Sequence, residues 1–197
     1  ILFIMSLILF EMTEIDFYLQ DKLYNFSIRQ WYFSDPHQIY HLIFYKLIKF
    51  PIYFIALFVI YKCFLGYKNK TLLSTTRGYL IVLLSLIIIP GGIATLGKKS
   101  VNIQCPYDIP RYGGSIPFVK KFEPYPINPN RPDGKWPPGN CWPAGHASGG
   151  FALISLYLIF ENKKKKYLAL VFGLLMGTIM SIYQMIRGAH YISHQID

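Results

Sequence analysis

Arg187, His190 and His194 stand three and four positions apart, a spacing that on a helix puts all three on one face. A guanidinium beside two imidazoles suits an oxyanion. The planar Arg fork matches phosphate oxygens and keeps its charge, while a neutral imidazole can attack an electrophilic centre or carry a proton near neutral pH. Two further polar clusters interrupt apolar text: Gly97-Lys98-Lys99, and Pro143-Ala144-Gly145-His146 with Ser148 just beyond. Gly145 and the Gly149-Gly150 pair permit close backbone approach, and a helix opening near Pro143 aims free N–H groups and a positive dipole end at an anion. Each cluster alone has a plain explanation, since a Lys at a span end is an anchor and a lone interfacial His is a hydrogen-bonded structural residue. Their convergence on one face is what argues for chemistry.

That convergence depends on the elements carrying the clusters. Four apolar stretches occupy 42–65, 79–97, 142–160 and 167–186, and about 20 apolar residues at a rise of about 1.5 Å cross a hydrocarbon core. The stretch at 142–160 reaches that length only if it begins near Trp142 and Pro143, which puts His146 in its first turn. Residues 1–10 lack the charged front and cleavage site of a signal peptide and read as the rest of an earlier span. The expected fold is therefore an all-α polytopic transmembrane bundle, a single membrane-embedded domain over 1–197. It has about six spans in the full protein, the first truncated and the last missing here.

Basic residues set the orientation. Lys62, Lys68, Lys70 and Arg77 join two spans and Lys163 to Lys166 join the next two, so both turns are expected on the cytoplasmic side. Alternation then brings Lys98, His146 and the Arg187 to His194 cluster to the opposite face, with the loop 98–141 between them. This loop is rich in Pro, Gly, Asn and Tyr, including Tyr112-Gly113-Gly114 and Pro137-Pro138-Gly139, so it is expected as an ordered lid built of turns. The segment 11–40, mixed in acids and aromatics, suits an interfacial helix with no assignable chemistry.

Composition agrees with the membrane class. Of 197 residues 53% are hydrophobic, 17% aromatic and only 15% charged, with mean hydropathy +0.31, which disfavours a soluble globule. The net charge of +10 would suggest nucleic acid in a soluble protein, but here the basic residues are confined to short segments between apolar runs. The expected partners are the lipid bilayer and an amphiphilic phosphate, not nucleic acid. Oligomeric state is not legible.

From Lys98 onward the chain resembles the type 2 phosphatidic acid phosphatases and their vanadium haloperoxidase relatives, whose pattern is K-x6-R-P, then P-S-G-H, then S-R-x5-H-x3-D. Lys98 through Cys105-Pro106 keeps the first spacing with Cys in place of Arg. Pro143-Ala144-Gly145-His146 keeps the second with Ala in place of Ser. Gly188-Ala189-His190-Tyr191-Ile192-Ser193 is similar to the family's G-x-H-Y-x-S text, with His194 standing where the Asp would be and Arg187 only three residues before His190. A second register, Arg187 to His194 to Asp197, misses both spacings by one.

The resemblance implies a metal-independent, cofactor-free phosphatase at the periplasmic face of a bacterial inner membrane. His190 would attack phosphorus to form a phosphohistidine, His146 would protonate the leaving lipid oxygen, and His194 would orient His190. Lys98 and Arg187 would bind the phosphate, with Lys99 or Arg111 covering for Cys105, and Gly145 and Ser148 covering for the hydroxyl that Ala144 lacks. The substrate could be undecaprenyl pyrophosphate, phosphatidylglycerol phosphate, phosphatidic acid or a lipid A phosphate.

Cys105 and Cys141 both fall in the outer loop, where an oxidising compartment permits a disulfide, whereas Cys63 falls in a cytoplasmic turn. Two other readings compete. His146, His190 and His194 could ligate zinc, though no H-E-x-x-H text accompanies them. A transporter or flippase of an anionic lipid would use its charges as a substrate path, but Lys98 and Arg187 lie at one face rather than at midplane.

Overall fold

A computed structural model describes residues 2–35, 37–69 and 73–196. Lys70 and Asp197, which the sequence reading used, lie outside the described residues. The described residues are mostly helical, with one two-residue antiparallel strand pair among them, Tyr24–Asn25 against Gln30–Trp31, in the register Tyr24 to Trp31 and Asn25 to Gln30.

Three helices among the described residues are long and apolar enough to cross a membrane: Ile39–Lys68, Thr76–Ser100 and Lys163–Ile186. They follow the expected stretches 42–65, 79–97 and 167–186 with extended ends. Large apolar side chains such as Phe54, Leu57, Phe64, Leu168 and Leu175 are exposed, the pattern of a surface facing lipid rather than water. The first two helices are irregular where proline occurs. Pro51 stands in the opening turn of the regular helix Phe50–Lys68, where its missing N–H is tolerated, and the turns before it widen to π geometry at Leu42–Lys46 and tighten to 3-10 at Leu47–Lys49. Pro90 sits in a second π segment, Ile88–Ile93, because a proline inside a helix cannot supply the i to i−4 bond.

The stretch expected as a span over 142–160 differs. Its helix begins only at Gly145, runs as α to Ala152 and continues as 3-10 to Leu158, so it rises roughly 24 Å and Trp142-Pro143 stays outside it. The segment 11–40 holds a short helix, Ile15–Asp21, and the strand pair rather than one interfacial helix. The apolar helix Leu2–Met12 precedes it.

The chain forms two compact units, one of Ile1–Asp35, Leu96–Ala144 and Ile182–Asp197, the other of Pro36–Thr95 and Gly145–Ser181. The first is built on an aromatic core of Tyr24, Trp31, Tyr112 and Tyr191 with Ile109, and Phe17 packs against it. Ring centroids of Tyr24 and Trp31 lie 4.8 Å apart, and those of Trp31 and Tyr112 4.9 Å apart, contacts each adding about 0.5–1.5 kcal/mol beyond area burial. In the second unit, the helix from Gly145 crosses Lys163–Ile186 where Gly150 meets Gly177, so closely that a Cβ on Gly150 would lie 2.6 Å from the Gly177 Cα. Small residues at that crossing let the two helices pack backbone to backbone.

Candidate active site

The residues 187–194 do not continue the preceding helix, which corrects the expectation that Arg187, His190 and His194 share one helical face. The helix ends at Ile186 because Gly188 adopts φ 72°. Gly188 N–H donates to the Met185 carbonyl at 2.9 Å and Ala189 N–H to the Gln184 carbonyl at 2.9 Å, the paired bonds of a Schellman terminus with glycine at its left-handed position. The Trp31 ring packs directly on Gly188. His190 and Tyr191 thus lie on a turn, and a new short helix, Ser193–Ile196, carries His194.

Backbone hydrogen bonds and the Asp16 side chain hold this turn and the segments beside it. Tyr107 N–H donates to the Gly188 carbonyl at 3.1 Å, Ala144 N–H to the His194 carbonyl at 2.8 Å, and Cys141 N–H to the Ile103 carbonyl at 3.1 Å. Asp16 binds Ser193 twice, accepting from its N–H at 3.0 Å and from its hydroxyl at 2.6 Å. Cys105 and Cys141 form a disulfide with Cα atoms 5.2 Å apart at a sequence separation of 36, as their shared place in the loop 98–141 led one to expect. In the chain-entropy account, closing a loop of that length contributes about 4 kcal/mol. The Ala189 carbonyl oxygen lies 3.0 Å from Cys141 Sγ. A disulfide sulfur has no proton to donate, so this is a close approach of oxygen to sulfur.

Inside this frame His190 and His194 are buried, 6% and 3% exposed, with ring centroids 5.9 Å apart at 76°. Tyr191, also buried, joins His194 to the aromatic core, its ring 5.2 Å away edge to face. Burial raises the Tyr191 hydroxyl above its ordinary range, so it stays protonated. Burial likewise lowers the His194 imidazole well below its ordinary value, and the charges of His190, Lys121 and Lys98 add to that effect. His194 is therefore neutral near pH 7 and, unlike an Asp, brings no negative charge to His190.

The predicted phosphate ligands divide. Lys98, half-buried in the last turn of Ala94–Ser100, acts electrostatically on His194, whereas Lys99 is exposed. Arg187 caps the long helix and is half-buried. Arg111 is corrected as a candidate: its fork holds Asp21, with Nε to Oδ1 at 2.8 Å and Nη2 to Oδ2 at 2.5 Å. Tyr112 donates to the same carboxylate at 2.9 Å. The cation that sequence reasoning missed is Lys121, which lines a small cavity with His194, Ser193 and Asp16. The adjacent pair Lys120-Lys121 in the loop was its signal. Asp16 gave none, because its role exists only through contact with Ser193.

Gly145, His146 and Ser148 belong to the second unit. Gly145 opens the helix Gly145–Ala152, with His146 and Ser148 half-buried on it. His146 stacks on Tyr45 at 4.6 Å between centroids, and Tyr45 stacks on His41 at 4.7 Å. Lys49 Nζ stands 4.2 Å over the Tyr45 ring, a cation–π contact. Lys49 and His146 also line a cavity of ≈ 420 Å³ whose other walls are mostly apolar, among them Ile52, Ile60, Leu83, Leu86 and Met180. No sequence pattern announced His41, Tyr45 or Lys49 as neighbours of His146.

Among the described residues, the side chains close enough to share one metal ion are Cys141, His190 and His194, a different set from the three histidines considered from sequence. No curated protein and no solved structure matches the chain. A family profile does match, over residues 78–196 and so over more than half of the chain, taking in every histidine discussed above except His41. With helices of membrane length, a buried histidine pair beside lysines and that match, the chain belongs to the PAP2 superfamily, whose members are phosphatases.

Proposed function

We propose that the protein hydrolyses a lipid phosphate or pyrophosphate at the outer, periplasmic face of a bacterial inner membrane through a phosphohistidine. The observation that carries this reading is the apolar cavity of ≈ 420 Å³ with His146 and Lys49 on its wall, a size and lining suited to a hydrocarbon chain with a polar end. A soluble phosphate ester would gain nothing from such walls.

In the proposed reaction a ring nitrogen of His190 attacks phosphorus and the bond from phosphorus to the lipid oxygen breaks. His146 gives its proton to that oxygen. Water then attacks the phosphohistidine, its proton returns to His146, and phosphate leaves with His190 restored. Lys98, Arg187 and Lys121 balance the charge of the equatorial oxygens, the main task of a phosphoryl-transfer site. The step uses only side chains, so no metal or cofactor is required. The basic turns at Lys62 to Arg77 and Lys163 to Lys166 support the orientation.

The test is release of inorganic phosphate from a panel of lipid phosphates by detergent-purified protein in EDTA, with His190→Ala, His146→Ala and His194→Ala beside it. Activity that survives EDTA and collapses in the His190 and His146 variants is expected. Release that disappears with EDTA and returns with a divalent ion would replace this mechanism, and no release from any lipid would favour transport.

A further inference from the structure

We infer that reduction of the Cys105–Cys141 disulfide creates a zinc site formed by Cys141, His190 and His194. The ligand atoms of these three side chains, one sulfur and two imidazole nitrogens, all lie within 4.8 Å of one another and all three residues are buried. Around a tetrahedral zinc such atoms stand about 3.5 Å apart, so rotations of the side chains by about an ångström close the set. The backbone around them is already held, at Ala144 to His194, Tyr107 to Gly188 and Cys141 to Ile103.

The disulfide decides whether the site exists. In the oxidised chain the Cys141 sulfur is bonded to Cys105 and has no thiolate to offer. A dithiol reductant supplies two electrons and two protons, the sulfur–sulfur bond breaks, and the reductant leaves as its own disulfide. Zn²⁺ then displaces the Cys141 thiol proton to solvent and takes one lone pair from each imidazole. Each imidazole binds through the lone pair of one neutral ring nitrogen. The freed Cys105 thiol, whose Cα is 5.2 Å from that of Cys141, is a neighbouring fourth donor for a closed structural site.

The metal site does not depend on the phosphatase reading. Its consequence does: zinc on His190 removes the nucleophile, so the reduced protein would be switched off by zinc and the oxidised protein would not.

The experiment uses the whole chain in detergent, either oxidised or reduced with a phosphine and desalted without oxygen. Each form is equilibrated with zinc and its metal content counted, and with cobalt to look for a thiolate-to-cobalt absorption band. About one zinc per chain and a cobalt band are expected in the reduced protein only. Cys141→Ser should lose both when reduced, as should His194→Gln, which retains both cysteines and so reports on ligation rather than on loss of the cross-link. Cys105→Ser, which leaves Cys141 permanently as a thiol, should bind without any reductant. Equal zinc in reduced wild type and reduced Cys141→Ser would overturn the inference, as would an absence of binding in both reduced wild type and Cys105→Ser. Phosphate release in the same samples is a separate readout, and its failure alone would count against the phosphatase reading.

Discussion

Asp16 and Ser193 are joined by two hydrogen bonds, 2.6 Å to the hydroxyl and 3.0 Å to the backbone N–H, across 177 positions of sequence. The carboxylate thereby caps the helix that carries His194 and anchors the His190 turn to the first 20 residues. Ser193 is 1% exposed, so removing its acceptor leaves two buried donors unpaired, at about 1–3 kcal/mol. Asp16→Ala is expected to lower both Tm and the rate of phosphate release. Asp16→Asn, which retains one oxygen acceptor, should fall between it and wild type. An unchanged rate and Tm in Asp16→Ala would show that the cap positions nothing.

Arg111 is expected to matter for stability rather than for substrate. The guanidinium holds the Asp21 carboxyl below its usual range, burial opposes this, and Tyr112 adds a smaller effect in the same direction as Arg111. Because the folded value is depressed, the contribution of this pair is present above the ordinary carboxylate range and lost as pH falls through the lowered value. The partly exposed pair is worth at most about 1 kcal/mol. Arg111→Ala should reduce Tm slightly at pH 7 and leave KM unchanged, and a large rise in KM would restore Arg111 as a phosphate ligand.

Gly188→Ala tests the helix terminus. The left-handed backbone costs a side chain about 1 kcal/mol or more, and the added methyl group would also run into the Trp31 ring. Thermal unfolding should shift downward with activity lost at lower temperature. A variant as stable as wild type would mean that the turn is set by something other than glycine.

His194 sets an acid limit on stability. Burial, joined by the charges of His190, Lys121 and Lys98, depresses its folded value, so the unfolded chain binds a proton first as pH falls below the ordinary value of 6.5. Stability from this residue is therefore complete above that pH and declines below it, by about 1.4 kcal/mol for each unit of pH down to the folded value. Melting curves from pH 7.5 to 5 should fall more steeply for wild type than for His194→Gln. Parallel curves would refute the assignment.

Lys121 should bind phosphate where Lys99 does not. Inorganic phosphate, as product, is expected to inhibit Lys121→Ala about tenfold less tightly than wild type, equivalent to about 1.4 kcal/mol, and Lys99→Ala as well as wild type. The reverse order would return the role to Lys99.

The sequence by itself determined the membrane helices and the residue types able to handle phosphate, because hydropathy over about 20 residues and the chemistry of His, Lys and Arg are local properties. It also made the disulfide legible, since Cys105 and Cys141 share the loop 98–141. It misread the last cluster as one helix, because a 3–4 spacing fits helical geometry and does not register that Gly188 ends the helix. Tertiary structure alone decided that Arg111 spends its fork on Asp21, that Lys121 rather than Lys99 lies near His194, and that Asp16 holds Ser193. These are pairings between residues 60 to 180 positions apart, set by which side chains meet when the aromatic core closes, and no local pattern encodes them. The same holds for the stack of His146 on Tyr45, where the two rings come from separate helices and only packing brings them together.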